Sequence, residues 1–329
     1  MSALPPPPPE LGYVHALNRA LHAEMAADDT VFVLGEDIGV GASGVTAGLV
    51  PRFGSKRVLD TPLSEQAFTS FGTGAAIAGR KPVIEFQISS LLYLVFEQIV
   101  NQAHKFSLMT GGQVHVPVTY LVAGSGSRNG WAGQHSDSPY SLLAHAGIKT
   151  VVPSNPADAY GLLRSAIRDP DPVAVFAPSA LMEAMGVPDS GEEKIVPLGE
   201  ANVVREGNDL TVVAVGQHVS TALEVADNLS NKVELEIIDP RTVYPFDWDS
   251  LRKSIDKTGR LVVIDDSNRM CGLGAEIIAT AAEESMLLAP PRRVCRPDGT
   301  VIPYALALDR ELVPGPEQLT KAIAATLLL

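Results

Sequence analysis

Three short stretches carry side chains suited to holding or moving protons. Thr61-Pro62-Leu63-Ser64-Glu65-Gln66 sets a carboxylate at the start of a helix of small residues, Gly72-Thr73-Gly74-Ala75-Ala76, whose surface allows very close packing on a neighbour. A glutamate there either satisfies the positive end of the helix dipole or acts as a positioned acid. Leu34-Gly35-Glu36-Asp37-Ile38-Gly39 brings further carboxylates ahead of it. Gln134-His135-Ser136 follows a run, 124–133, rich in glycine and serine. An imidazole on such a loop titrates near neutrality and is free to donate or accept a proton. His145, on the next apolar helix, reads as a structural histidine, and His15, His22, His104, His115 and His218 show no metal-ligand clustering.

A phosphate-binding reading competes with this one. Gly39-Val40-Gly41-Ala42-Ser43-Gly44 is formally a G-x-G-x-x-G after a strand, and Asp60 stands near the place of a ribose-binding acid. That fingerprint works only where the third glycine enters a helix that receives the pyrophosphate, and Gly48 and Pro51 interrupt the next segment. The dinucleotide reading is therefore set aside. Gly272-Leu273-Gly274-Ala275-Glu276 is weaker still, since Ile277 takes the third glycine's place.

Positioning these groups falls to an alternation of helical and β-rich segments, the rhythm of an α/β chain with parallel sheets. Val14, Leu17, Leu21 and Met25 mark one helix face. Strands are expected over 31–34, 57–59, 82–86, 116–122, 149–152 and 173–176, with helices over 64–78, 91–108 and 155–168. The pattern breaks into Gly, Pro and charge over 186–200, the expected linker between a first domain, 13–185, and a second, 201–329. The second domain repeats the alternation, with strands over 210–215, 233–238, 260–264 and 292–295 and helices ending at 229 and starting at 274. Pro5 to Pro9 give residues 1–12 the character of a polyproline arm.

Composition narrows the classes. The 329 residues are 46% hydrophobic and 19% charged, enough for one or two sizeable cores. A net charge of -13 argues against a nucleic-acid partner, which needs clustered cations. Apolar runs fall short of the ~20 residues a membrane span requires. Cys271 and Cys295 have no metal-ligand spacing and read as core residues of a reducing compartment. With no signal or transit sequence visible, the expected location is the bacterial cytoplasm.

Taken in order with Phe96-Glu97-Gln98-Ile99-Val100-Asn101-Gln102, Met109-Thr110-Gly111-Gly112, Val152-Pro153-Ser154, Ala166-Ile167-Arg168-Asp169 and Asp239-Pro240-Arg241-Thr242, these stretches resemble the beta subunits of pyruvate and branched-chain 2-oxo-acid dehydrogenases, relatives of transketolase. The resemblance covers nearly the whole chain. It implies a pyrimidine-binding transketolase-like domain followed by a transketolase C-terminal-like domain, and thiamine diphosphate as cofactor. It places Glu65 against a nitrogen of the aminopyrimidine ring, whose protonation acidifies the exocyclic amine that activates the thiazolium carbon. It carries Glu36, Leu63, Gln87 and Leu91 to the cofactor pocket and His135 to the cofactor or substrate pocket, to bond the decarboxylated intermediate or the incoming lipoyl group. A monovalent cation, K+, is implied at Val118, Ala166, Ile167, Asp169 and Asp171.

The family holds the diphosphate through a divalent metal bound by a Gly-Asp-Gly segment, which this sequence lacks. The resemblance therefore implies an alpha subunit that carries that segment and most of the Mg2+ shell, an alpha2-beta2 assembly, and a lipoyl acyltransferase as acceptor. Three departures stand out: Leu91 replaces an aromatic residue, the glycine loop after Asp37 is short, and 178–186 lacks a tyrosine-containing segment. Two other readings stay open. One is half of a split transketolase or a lipoyl-independent carboligase, which would share Glu65; the other is a non-catalytic assembly subunit, against which Glu36, Glu65 and His135 speak.

Overall fold

The computed structural model describes residues 11–127, 130–186 and 195–328. Most of the expected polyproline arm and most of the expected linker lie outside those residues.

Among the described residues, fourteen strands form two large sheets and one small ribbon. They are β1 (Leu11–Gly12), β2 (Val31–Gly35), β3 (Val58–Asp60), β4 (Lys81–Phe86), β5 (Thr119–Ser125), β6 (Lys149–Val151), β7 (Val173–Pro178), β8 (Met185–Gly186), β9 (Asn202–Arg205), β10 (Leu210–Ala214), β11 (Leu235–Asp239), β12 (Thr242–Tyr244), β13 (Leu261–Asn268) and β14 (Arg292–Arg296). The first sheet has the order β12-β6-β7-β5-β4-β2-β3 and is parallel except at β12. The second has the order β14-β13-β10-β11-β9, parallel except at β9. Strands β2, β5 and β10 are buried at every position, as strands covered by helices on both faces must be.

Helices Tyr13–Ala27 and Pro156–Arg168 pack together on one face of the first sheet. Their contact encloses an ion cluster: Arg164 Nε donates to Glu24 Oε1 at 2.7 Å, and Arg168 Nε to Glu24 Oε2 at 2.8 Å. Asn155 caps the second helix by accepting from the Asp158 amide at 2.9 Å, and Pro156 opens it, where a missing N–H costs nothing. Helix Glu65–Ile77 and the helical run from Leu91 cover the other face, sharing a core with β10, β11 and β13 of the second domain.

Two expectations need correction, and one strand, β12, lay outside them. The helix expected over 91–108 is broken into Leu91–Leu94, a π-helical turn over Gln98–His104 and Lys105–Met109. The strand expected from 116 starts at Thr119, because Pro117 has no amide to give the ladder. β12, from beyond the linker, pairs antiparallel with β6, so the second stretch of chain completes the edge of the first sheet. No helix among the described residues is long and apolar enough to cross a membrane.

Candidate functional site

Chain direction fixes where a site forms in the first sheet. From β2 the chain passes outward to β3 and then returns to β4 on the other side of β2, so the crossover direction reverses between β2 and β4. A crevice opens there at the carboxyl ends of the strands, the usual ligand position in open α/β sheets. Glu36 follows β2 and Gln87 follows β4, and Gln87 Nε2 donates to the Glu36 carbonyl at 3.2 Å across this gap. Close approach of the two strands requires a glycine: a Cβ on Gly35 would stand 2.7 Å from the Glu85 carbonyl oxygen.

Glu65 enters from the third strand end. After β3 the chain turns through Thr61, whose amide donates to the Gly35 carbonyl at 3.0 Å, and Glu65 becomes the first residue of its helix. The residue is only 9% exposed, and its carboxylate, with no hydrogen-bond or ion-pair partner among the described residues, keeps its oxygens open to solvent. Glu36 feels that carboxylate: burial first, then the charges of Asp37 and Glu65, push the Glu36 carboxyl above its ordinary value. Leu63, two residues earlier, is 74% exposed, so in the single chain nothing covers it.

The formal glycine fingerprint is a turn region. The Gly39 amide donates to Asp60 Oδ1 at 3.0 Å, and the helix that follows, Leu49–Phe53, begins beyond Gly48. Asp60 thus orders the Glu36 loop, which accounts for its position without a ribose.

The histidine loop reaches the same side. Ser90 Oγ donates to the Gln134 carbonyl and Ser89 Oγ to that of Asp137, so Leu91 and His135 sit on joined segments. Tyr93 Oη donates to Asp137 Oδ2 at 3.0 Å. Leu91, half-buried, packs on the core, and His135, half-buried, lies with its ring centroid 5.6 Å from that of Trp131. His145, read as structural, is exposed at the end of helix Tyr140–His145, and Cys271, read as core, is exposed as well.

Val118, Ala166, Ile167, Asp169 and Asp171 lie elsewhere, at the amino ends of the strands. Val118 precedes β5 and its carbonyl accepts from the Val173 amide at 3.0 Å. Lys149 Nζ lies 2.7 Å from Asp169 Oδ1 and 3.0 Å from Asp171 Oδ2, so both carboxylates already hold a cation. A monovalent ion there would rest on backbone carbonyls.

Glu85 was not legible as a special residue. It is buried in β4, with Ser43 and Thr46 beside it and Oε2 unpartnered, and burial pushes its carboxyl up to about 7. Its strand reads as an ordinary apolar run, and only the pairing with Gly35 reveals the enclosure.

A parallel sheet with acidic residues at its switch point, joined to a second parallel-rich sheet, defines a transketolase-like chain, and the comparisons carry that further. The transketolase pyrimidine-binding domain matches residues 10–184, and the transketolase C-terminal domain matches 199–319. The beta subunit of acetoin:2,6-dichlorophenolindophenol oxidoreductase from Bacillus subtilis is 40% identical, covering 92% of this chain and 93% of that one. The 3-methyl-2-oxobutanoate dehydrogenase beta subunit of Mycobacterium tuberculosis is 42% identical, with 96% and 92% covered. The mitochondrial pyruvate dehydrogenase E1 beta-2 subunit of Oryza sativa is 39% identical, with 95% and 85% covered. Among solved structures, a split-gene transketolase described as an inactive beta4 tetramer aligns with a TM-score of 0.77 at 21% identity, covering 95% of this chain and 97% of that one. The chain belongs to the family of beta subunits of the thiamine-diphosphate-dependent 2-oxo-acid dehydrogenases, built from transketolase pyrimidine-binding and C-terminal domains.

Proposed function

We propose that this chain is the beta subunit of a decarboxylating 2-oxo-acid dehydrogenase component, supplying the activating carboxylate of a site completed by an alpha subunit. The observation that carries the reading is Glu65: a carboxylate on the first residue of a helix, only 9% exposed and bonded to no protein group among the described residues, whose charge reaches Glu36 at the end of β2. An aminopyrimidine nitrogen is the kind of donor such a group lacks, so the residues present fit thiamine diphosphate. Bound there, the cofactor supplies the electron-accepting carbon that lets the bond beside a 2-oxo group break.

The chain's own residues do the rest. Glu65 holds the shared proton at the pyrimidine nitrogen, and Glu36, raised in pKa, stays protonated to higher pH than a free glutamate and so spares Glu65 a second negative charge. Gln87 fixes the Glu36 backbone. His135 donates or accepts the proton that accompanies acyl transfer to a lipoyl acceptor.

An alpha subunit carrying a Gly-Asp-Gly segment would bring the diphosphate and Mg2+ half, in an alpha2-beta2 assembly. Support comes from the uncovered apolar side chains on the layer that holds Glu65: Leu63, Phe71, Leu94, Leu108 and Met109 are all exposed. A Cβ on Gly74, on the same helix, meets nothing within 4 Å, which leaves room for a second backbone to come close. Relatives named for acetoin, 3-methyl-2-oxobutanoate and pyruvate leave the substrate to assay. Titration calorimetry with thiamine diphosphate and Mg2+ tests the two-chain site. Weak binding by the isolated chain and tight binding by the pair are expected, whereas tight, Mg2+-dependent binding by the chain alone would contradict it.

A further inference from the structure

The loop that carries His135 is held from the far domain. Asp266 and Arg296 stand at the carboxyl ends of the adjacent parallel strands β13 and β14, both almost wholly buried. Arg296 Nε and Nη2 each donate to one oxygen of Asp266 at 2.7 Å, a two-pronged pair that fixes the guanidinium plane. Its remaining arm, Nη1, donates to the Ser136 carbonyl at 2.7 Å. Asp266 Oδ2 also accepts from Ser138 Oγ at 3.0 Å. The two residues therefore grip the chain immediately after His135 by two hydrogen bonds and by the Asp137 carboxylate, 3.9 Å from Arg296 Nη1, and the amide of Gly126 holds the Asp137 carbonyl between them at 2.8 Å. A Cβ on Gly126 would stand 2.5 Å from Asp266 Oδ2, so the fit leaves no slack.

Ion pairs this buried are not needed for stability, since an apolar pair of like volume serves as well or better. A fork with one arm on a loop carbonyl is suited instead to setting position. We propose that Arg296, oriented by Asp266, is a positioning residue for His135, holding the imidazole on the crevice side from the second domain. The proposal rests on the assignment of His135 to the reaction. A lysine at 296 keeps the charge but cannot bond both Asp266 oxygens and the Ser136 carbonyl in one plane.

The test uses the complex assembled with its alpha subunit. Arg296→Lys is expected to lower kcat roughly ten- to a hundredfold with KM for the 2-oxo acid within about twofold, as displacement of a reacting group by about 1 Å does. Combined with His135→Ala, the lysine variant is expected to add no further loss, because both act on one group. In the cofactor-free complex, amide hydrogen exchange over 133–138 is expected to quicken while helix Pro156–Arg168 keeps its protection. Additive losses in the double variant, or unchanged exchange, would overturn the proposal. Full activity of His135→Ala would remove the assignment beneath it and the proposal with it. Should Arg296→Lys not assemble, Ser138→Ala removes one grip alone and is expected to show the same exchange and kcat pattern to a lesser degree; normal values in both would count against the clamp.

Discussion

Burial first, then the charges of Asp37 and Glu65, hold the Glu36 carboxyl above its ordinary value. Replacing Glu65 with Gln removes one of the charges that raise Glu36, so the Glu36 pKa is expected to fall back toward the ordinary value, and carbon-detected NMR of the side chain reads it directly. An unchanged Glu36 titration would mean the two do not share a site. His135→Ala is expected to lower turnover by about 10²- to 10⁴-fold while thermal unfolding stays put, the size of effect a lost general acid or base brings. Glu65 and His135 stand out in the sequence by type, at a helix start and after a glycine-rich loop, whereas Glu36, Leu63, Gln87 and Leu91 are reached through the family resemblance. Glu85, Asp266 and Arg296 were legible in neither way, for their meaning lies in register and domain packing: nothing near Arg296 in sequence points to Ser136, 160 residues away.

Among the elements, the pairing of helices Tyr13–Ala27 and Pro156–Arg168 depends on a charge the periodicity hides. Glu24 sits on the buried face with the apolar residues, and Arg164 and Arg168 converge on it. Glu24→Ala takes away the buried carboxylate on which both guanidinium groups converge, which is expected to cost about 3 kcal/mol, read as a lowered urea midpoint at unchanged m-value. A loss under about 1 kcal/mol would show that water satisfies the arginines. Helical spacing read the parallel strands and their helices well. It missed β12 and the π-helical turn, since a three-residue strand carries no period of its own and a π-turn keeps nearly the same apolar face.

Over the whole molecule, three enclosed acids, Glu85, Asp239 and Asp265, are raised by burial above all and bear on the pH response. Glu85 and Asp239 are each raised to about 7. Between their ordinary values, 4.5 and 3.8, and about 7, these two groups bind more protons in the folded chain than in the unfolded one, so their contribution to stability falls as pH rises through that window and levels above it. Glu85→Gln removes one such group and is expected to make the urea midpoints at pH 5 and pH 8 converge; an unaltered difference would show that Glu85 is not proton-linked. Asp239 also ties the domains, accepting from Ser154 Oγ at 2.5 Å, while the neighbouring Arg241 pairs with Asp158 at 2.9 Å. Two motifs of the family resemblance, Val152-Pro153-Ser154 and Asp239-Pro240-Arg241-Thr242, thus meet as the joint between the sheets.

The central claim is that Glu65 activates the cofactor in a site this chain shares with its partner. Glutamine at 65 keeps the volume and the hydrogen-bonding reach but has no acidic proton to share. In the assembled complex, with cofactor occupancy checked by calorimetry, the exchange of the thiazolium proton for deuterium is measured in the native chain and in Glu65→Gln. The account expects exchange to slow by about 10²-fold or more with thermal unfolding shifted by less than the roughly 1 kcal/mol a helix-terminal charge is worth. Exchange at the native rate in a fully loaded Glu65→Gln complex would contradict it.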